Sequence, residues 1–317
     1  MATIEVHQFR SLEPGPRLIV TGAVHGNEVC GTVAIREVVK EFSTARRRLD
    51  RGMVTFVPVC NPVAYAAGRR EGDGNLNRNF APTEHPATVE ERIANHLAPL
   101  LAEHDVLVDL HSFRTPGKPF VFVGPEDNDG DLEPFTHAAT EAALALAVGP
   151  DRFVYGWLPT YATGAVKREG GRVEYGIGTT EYMRSVGGAA ITVECGQHED
   201  PEAPSRARRA IDNALAVLGL EADGPADLPD PARSVELIEL HEVHDRLHPD
   251  DRFSGQWRSF DRIAAGQAIA ERADGTVLAP EEESYVVFPN PDTRVGSEWF
   301  YLGRPGTRDF RGIARQR

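Results

Sequence analysis

Lysine is nearly absent from this chain of 317 residues. Three of the 34 basic residues are lysines (Lys40, Lys118 and Lys167), and all the others are arginines. Such an acidic, lysine-poor composition is typical of adaptation to high salt, but a codon bias towards arginine and alanine would also produce it, so both explanations stay open. The formal net charge of −14 argues against nucleic acid as a partner, because a protein that binds a phosphate backbone needs a positive surface.

Cysteines and long apolar runs are also scarce. Cys30, Cys60 and Cys195 all lie in apolar segments, so we expect buried thiols rather than a disulfide framework. No apolar run approaches the length of a membrane span, and the first ten residues, MATIEVHQFR, lack the hydrophobic core of a signal peptide. We therefore expect a cytoplasmic globular protein with no membrane partner.

Short β-branched runs alternate with amphipathic stretches along the first two thirds of the chain. Strands are predicted over residues 4–9, 18–24, 53–60, 106–110, 120–123, 152–157 and 190–195. Helices are predicted over residues 28–42, 88–103, 133–148 and 206–218, with Pro99 able to kink the second. This alternation predicts an α/β fold in which helices cover a layered sheet.

A Pro-, Asp- and Ala-rich segment, residues 221–234, divides the chain. It has no periodic apolar face, which is typical of a linker. We therefore predict an α/β domain over residues 1–222 and a small β-rich domain over residues 235–317, where short alternating runs lie between Gly and Pro turns.

Two histidines lie where apolar strands are predicted to end. His25 follows residues 18–24, His111 closes the run VLVDLH, and Glu28 opens the next helix. Open α/β sheets bind their ligands at the carboxyl ends of the strands. Two imidazoles and one carboxylate with an open fourth position suit a catalytic zinc ion, so these three residues are candidate ligands for one zinc per chain. Taken singly, Glu28 could instead be a favourable first-turn carboxylate and His111 a hydrogen-bonded core histidine.

Three other features carry groups suited to hydrolysis. Asp109 lies on the same strand face as His111 and could accept the ring N–H that fixes its tautomer. The loop of residues 69–78, RREGDGNLNR, is rich in planar donors that could hold an anion or an oxyanion, although it could equally be a solvated loop. Glu194 ends an otherwise apolar strand, where a buried carboxylate is costly unless it is functional, and a general base is one such function.

The motifs GAVHGNE, NP, NLNRNF, DLH and ITVEC, in this order over residues 17–198, resemble the succinylglutamate desuccinylase/aspartoacylase family of zinc carboxypeptidase-like hydrolases. The segment SYVVFPNP resembles the β-domain of that family. The resemblance implies a three-layer, mixed-sheet α/β domain with a small β-rich domain that covers the active site. It also implies that His25, Glu28 and His111 bind zinc and that Glu194 is the general base.

The same resemblance implies roles in substrate binding. Arg70 stands at the position of the arginine that polarises the scissile carbonyl. Substrate-contacting positions fall at Asn77, Arg78, Arg184 and Tyr285. Asn75 departs from the usual Asp-Leu-Asn-Arg pattern, which removes a charge from the predicted anion-binding loop and leaves its substrate preference open.

These features predict zinc-dependent hydrolysis of the amide bond of a small N-acyl amino acid, as by an aspartoacylase or a succinylglutamate desuccinylase. The alternative is a zinc carboxypeptidase acting on peptides, which an open groove would favour. A non-catalytic binding module is disfavoured because it would not need Glu194. N-acetylaspartate, N-succinylglutamate and N-acetyl-diaminobutyrate all suit such a site, and a homo-oligomer stays open.

A second histidine cluster comprises His241, His244 and His248. Its spacing does not match the HExxH pattern of helical zinc sites. We interpret it as a solvated surface or an inter-domain contact.

Overall fold

The computed structural model describes residues 3–165, 171–222 and 228–315. The strands are β1 (His7–Arg10), β2 (Arg17–Gly22), β3 (Met53–Val57), β4 (Val106–Phe113), β5 (Phe120–Phe122), β6 (Arg152–Tyr155), β7 (Ala189–Gln197), β8 (Glu236–Asp245), β9 (Arg252–Phe253), β10 (Asp261–Ile263), β11 (Ala270–Glu271), β12 (Val277–Leu278), β13 (Ser284–Val287) and β14 (Glu298–Pro305). The helices are α1 (Cys30–Ser43), α2 (Pro62–Ala66), α3 (Val89–Ala102), α4 (Ala138–Ala147), α5 (Trp157–Ala165), α6 (Thr179–Ser185), α7 (Ala203–Val217) and α8 (Phe310–Ala314).

Eleven of the strands form one mixed sheet in the order β1-β3-β2-β4-β7-β5-β6-β8-β14-β13-β10. The four strands β3, β2, β4 and β7 run parallel to one another, so their carboxyl ends meet at one edge. β5 is antiparallel to β7, and β8, β14, β13 and β10 form an antiparallel series. β9, β11 and β12 form a separate small sheet.

Helices cover both faces of the central strands. Side chains alternate along β2, so Leu18 and Val20 pack into one core with α1, α4 and α7, whereas Ile19 packs into the other with α3 and α6. Every residue of β3 and β4 is buried, as expected for strands covered on both sides. The predicted α/β fold with three layers and a mixed sheet is confirmed.

Most of the predicted elements form close to their predicted places. The helix predicted over residues 88–103 begins with a reciprocal cap between Thr88 and Glu91 and continues through Pro99. Some boundaries are wrong: Trp157 opens α5 instead of ending β6, the helix predicted from residue 133 begins at Ala138, and the strand predicted over residues 53–60 ends at Val57. The short helices α2 and α6 are absent from the prediction, since five to seven residues are too few to show a helical period.

The C-terminal strands extend the same sheet as the N-terminal ones. β8, which follows the predicted linker, pairs in parallel with β6 through the register Arg152–Glu236. Of the linker, residues 223–227 lie outside the described residues. The division into two domains stays a prediction, and the two parts share backbone hydrogen bonds.

Two glycines allow α1 to approach the carboxyl ends of the central strands. A Cβ on Gly31 would lie 2.7 Å from Leu110 Cβ, and one on Gly22 would lie 3.0 Å from the backbone of α1. The helix therefore packs directly on β2 and β4, which fixes the turn between β2 and α1.

We predict that Gly31→Ala lowers the free energy of unfolding by about 1–3 kcal/mol, because the added methyl group overpacks this contact. Chemical denaturation of both proteins measures the change. Gly255→Ala is the matched control, since a Cβ at Gly255 meets no atom closer than 4.0 Å. Equal stability losses in the two variants would contradict the prediction.

Candidate active site

The turn between β2 and α1 brings His25 and Glu28 to the edge where the parallel strands end. Glu28 N donates to His25 O at 3.0 Å, which closes the turn. A Cβ on Gly26 would lie 2.2 Å from the backbone of Ala64, so only glycine fits this path of the chain. On the neighbouring strands, His111 of β4 stands in register with Glu194 of β7.

His25, Glu28 and His111 form a buried group whose ligand atoms lie within 4.8 Å of one another. His25 Nδ1 is 2.9 Å from Glu28 Oε1, and His111 Nδ1 is 2.9 Å from Glu28 Oε2. Burial favours a neutral carboxyl, but the charges of the two histidines hold the pKa of Glu28 well below its usual range. The three residues predicted to bind zinc are thus brought together.

The outer nitrogens of both imidazoles have their own acceptors. His111 Nε2 lies 2.8 Å from Asp109 Oδ2, as predicted, and a carboxylate with its pKa held low can only accept there. His25 Nε2 lies 3.0 Å from Asn75 Oδ1. In both rings Nδ1 is therefore the atom that faces Glu28.

This arrangement fits a zinc ion. Burial, assisted by the charge of Arg70, lowers the pKa of His25 to about 4, so its Nδ1 carries a lone pair at neutral pH. That buried nitrogen has no hydrogen-bond partner among the described residues, although a carboxylate oxygen is 2.9 Å away. A cation held by both atoms would remove this conflict, and two imidazoles with a carboxylate are ligands that zinc accepts.

Glu194 lies beside this group and is almost fully buried. Its Oε2 has no hydrogen-bond partner in the described part of the chain. Burial, and then the negative charge of Glu28, raises the pKa of Glu194 to about 8. A carboxyl with this pKa can both accept and release a proton near neutral pH.

Arg70 lies next to the same group. Its Nη1 donates to Glu28 Oε1 at 2.7 Å, while about half of the side chain stays exposed to the cavity. The rest of the guanidinium is available to a ligand carbonyl or oxyanion.

Glu90 holds the loop that carries Arg70. The buried Glu90 carboxylate accepts hydrogen bonds from the backbone N–H groups of Gly72, Asp73 and Gly74, and from Asn61 Nδ2. Glu90 is not among the site residues predicted from the sequence. The sequence contains one signal for this role. Glu90 lies in the first turn of a predicted helix, where a carboxylate is favourable, and it follows a loop whose backbone N–H groups need an acceptor.

Asn77 and Arg78 line the cavity, and both are oriented by other residues. Thr179 N donates to Asn77 Oδ1 at 2.9 Å, so the Asn77 amide NH₂ is left for the cavity. Arg78 stacks over Trp157 at 4.9 Å from the ring centroid, which holds its guanidinium in one place. Both residues can therefore donate to a carboxylate.

The predicted contact of Arg184 with substrate stays a prediction: Arg184 lines the cavity, but its donors already have partners within the protein. Its Nε donates to Glu141 at 2.8 Å, its Nη1 to Glu133 at 2.9 Å, and its Nη2 to the Ala190 carbonyl at 2.9 Å. Burial and the nearby Glu181 raise the pKa of Glu133 to about 7, against the attraction of Arg184. The guanidinium thus neutralises a group of glutamates and is not left for a substrate carboxylate.

The predicted contact of Tyr285 with substrate also stays a prediction. Tyr285 is buried on β13, and its hydroxyl accepts a hydrogen bond from Arg262 at 3.1 Å. It does not line the cavity beside the metal-binding group, whereas Phe288, three residues later, does. The segment of β13 and the residues after it therefore reaches the cavity through Phe288.

The cavity in front of these residues has a volume of about 910 Å³. Its lining includes residues absent from the prediction, among them Trp157, Tyr161, Tyr301 and His198. His198 Nδ1 lies 2.9 Å from Ser112 Oγ, directly after the His111 ligand. His198 follows Glu194 by four residues, and this short spacing was the signal in the sequence that could have indicated a position at the cavity.

The second histidine cluster lies elsewhere. His241 and His244 are on β8, His244 stacks on Phe300 at 4.7 Å, and His248 lies beside Asp250. The one group of potential metal ligands that the described residues bring together is that of His25, Glu28 and His111.

Fold and site together define an α/β protein with a buried two-histidine, one-glutamate group at the carboxyl ends of parallel strands. Residues 14–218 match the model of the succinylglutamate desuccinylase/aspartoacylase catalytic domain. The chain belongs to this family. The described residues include no helix with the length and apolar character needed to cross a membrane.

Individual relatives support the same placement. A succinylglutamate desuccinylase from Vibrio vulnificus is 24% identical, covering 92% of this chain and 84% of the relative. An N-α-acetyl-L-2,4-diaminobutyric acid deacetylase from Halomonas elongata is 38% identical over 102 residues, which is 31% of this chain and 29% of that relative. The solved structure of a succinylglutamate desuccinylase/aspartoacylase from Rhodobacter sphaeroides has a TM-score of 0.71 at 18% identity, covering 96% of this chain and 90% of that one, and it shows the common fold.

We predict that metal-free protein loses thermal stability between pH 6.5 and 8.5. A carboxyl whose pKa rises on folding stabilises the folded state below its unfolded pKa, and this contribution is lost as the pH rises through the folded value, here about 8 for Glu194. The raised pKa values of His111 and Glu133 act in the same direction, and the lowered pKa of His25 acts below this window.

Glu194→Gln isolates the contribution of Glu194. Thermal unfolding of both proteins in chelator should show a shallower decline with pH in the variant. Parallel curves for the two proteins would contradict the assignment.

Proposed function

We propose that this chain is a zinc-dependent deacylase that hydrolyses the amide bond of a small N-acyl amino acid. The observation that carries the proposal is the convergence of His25 Nδ1, His111 Nδ1 and the Glu28 carboxylate beside the buried Glu194. The deacylase names of the two relatives support the class of reaction.

Zinc bound by His25, Glu28 and His111 would supply a Lewis acid that polarises the amide carbonyl and activates water. Glu194 is the general base and then the general acid. Its carboxylate takes a proton from water as the water oxygen bonds to the carbonyl carbon. It gives that proton to the nitrogen as the C–N bond breaks, so the acid and the amine leave and Glu194 returns to its first state.

Arg70 and the loop that carries it position the substrate. The Arg70 guanidinium, held by Glu28, faces the cavity and stabilises the charge that develops on the carbonyl oxygen. Asn77 Nδ2 and Arg78 bind the α-carboxylate of the amino acid. This grip places the amide beside Glu194 and favours substrates whose amino acid carries a free α-carboxylate.

The surroundings of Arg184 bear on the choice of substrate. The N–H donors of Arg184 are occupied by three glutamates and a backbone carbonyl. A substrate with two carboxylates therefore cannot use this guanidinium to bind its second carboxylate. The arrangement therefore favours an N-acyl amino acid with a single carboxylate, which Asn77 and Arg78 would bind.

The composition of the cavity wall bears on the alternative of a carboxypeptidase. The C-terminal strands and their loops contribute Phe288, Asn290, Glu298 and Tyr301 to the cavity wall. This supports a β-rich part that covers the site, as expected for an enzyme that acts on small N-acyl amino acids.

The proposal is tested by release of free amine from N-acetylaspartate, N-succinylglutamate, N-acetyl-2,4-diaminobutyrate and a dipeptide with a free carboxyl end. We expect hydrolysis of an acyl amino acid, loss of activity in chelator and recovery on adding zinc. Hydrolysis of the dipeptide alone would assign a carboxypeptidase. Activity that is insensitive to the chelator would contradict the role of zinc.

We predict that Glu194→Gln lowers kcat by about 10²–10⁴-fold, because the amide cannot carry the proton. Zinc content, measured by atomic absorption, should stay at one ion per chain, since Glu194 is not among the ligands. Glu199→Gln is the matched control, because Glu199 is exposed and follows the same strand. Full activity of the Glu194 variant would refute its role as the base.

A further inference from the structure

A single amide oxygen joins one of the candidate metal ligands to the loop that binds substrate. Asn75 Oδ1 lies 3.0 Å from His25 Nε2 and accepts the backbone N–H of Asn77 at 2.9 Å. No function in the mechanism above has been given to Asn75, and its sequence position suggested only a lost charge in an anion-binding loop.

The contact with Asn77 decides which way the Asn75 amide is turned. A backbone N–H can only donate, so the atom that it meets must be the carbonyl oxygen and not the NH₂ group. The same oxygen faces His25 Nε2. That nitrogen must therefore carry the ring proton, which leaves Nδ1 with the lone pair that points at Glu28.

The loop itself is held on the N-terminal side of Asn75. Glu90 binds the backbone N–H groups of residues 72–74, and Arg70 O accepts the N–H of Gly26 at 3.1 Å. The amide of Asn75 is thus presented to His25 by a fixed backbone, so that its orientation does not depend on the histidine.

Asp109 gives a comparison within the same site. It does for His111 what Asn75 does for His25, but with a carboxylate whose pKa is held low, so it stays charged. Asn75 offers a neutral acceptor. The two imidazoles are therefore supported unequally, since a charged acceptor raises the basicity of the ring more than a neutral one.

We propose that Asn75 is a positioning residue that holds His25 in the Nε2–H tautomer required of a metal ligand. The proposal rests on the proposed function, because it assumes that His25 binds zinc. Removing the acceptor frees the ring to rotate and to change tautomer, so the metal site is weakened while the three ligands stay in the chain.

The test compares the zinc affinity of the wild type, Asn75→Ala and Asn75→Asp by competition with a chromophoric chelator. We expect about 10–100-fold weaker binding for Asn75→Ala, which is the usual cost of losing an outer partner of a ligand histidine. Asn75→Asp keeps an acceptor for both donors and should bind zinc at least as tightly as the wild type. The visible spectrum of the cobalt-substituted proteins should change in Asn75→Ala and keep the wild-type band positions in Asn75→Asp.

Asn95→Ala is the matched control, because Asn95 makes two comparable hydrogen bonds to the Thr83 backbone at a site away from the cavity. Zinc affinity equal to the wild type in Asn75→Ala would overturn the proposal for Asn75 and leave the deacylase proposal intact. Failure of Asn75→Asp to restore binding would also overturn it. A wild type that binds no zinc would refute both proposals.

Discussion

The site depends on one buried carboxylate placed between two imidazoles. Glu28 Oε1 faces His25 and Arg70, and Glu28 Oε2 faces His111 and the backbone N–H of Ser112. Such a carboxylate is tolerated in the interior because Arg70, His111 and the Ser112 N–H lie within hydrogen-bonding distance of it, and a cation shared with His25 Nδ1 would satisfy the remaining side. This requirement constrains the fold around the site, because β2 must lie beside β4 and α1 must begin close to both strands.

A chain of polar contacts joins this carboxylate to the loop of residues 69–78, which carries the proposed substrate-binding residues. Asp109 receives the imidazole of His111, the hydroxyl of Thr21 at 2.7 Å and the hydroxyl of Thr179 at 2.6 Å. The backbone N–H of Thr179 then orients the Asn77 amide. Buried hydrogen bonds therefore connect β2, β4, helix α6 and the loop. They hold these elements rigidly, because breaking any one of them would leave a buried polar group unpaired, which is costly. The metal-binding group and the proposed carboxylate grip are held in one frame.

The positions of His25, His111 and Glu194 could be predicted because each depends on local pattern. An apolar run gives the strand, and parallel strands bring their carboxyl ends to one edge. The environment of Arg184 could not be predicted in this way, since its partners Glu133 and Glu141 come from a segment more than forty residues earlier in the chain. Family resemblance identifies a position along the chain but not the charges that surround it. The continuity of the sheet across the predicted linker was likewise a long-range pairing that composition does not encode.

The unequal support of the two histidines has an electrostatic explanation. If His25, Glu28 and His111 held a doubly charged cation, the cation and Arg70 would balance the negative charges of Glu28, Asp109 and Glu194. The net charge of these buried groups would then be close to zero. An aspartate in place of Asn75 would add one more negative charge to this low-dielectric region, at a cost in stability that is greatest when the metal is absent. A neutral amide accepts the same hydrogen bond from His25 Nε2 without that cost. The amide of Asn75 therefore keeps the hydrogen bond to His25 without adding a charge to the proposed metal site, and the proposed carboxylate grip keeps its own donors in Asn77 and Arg78.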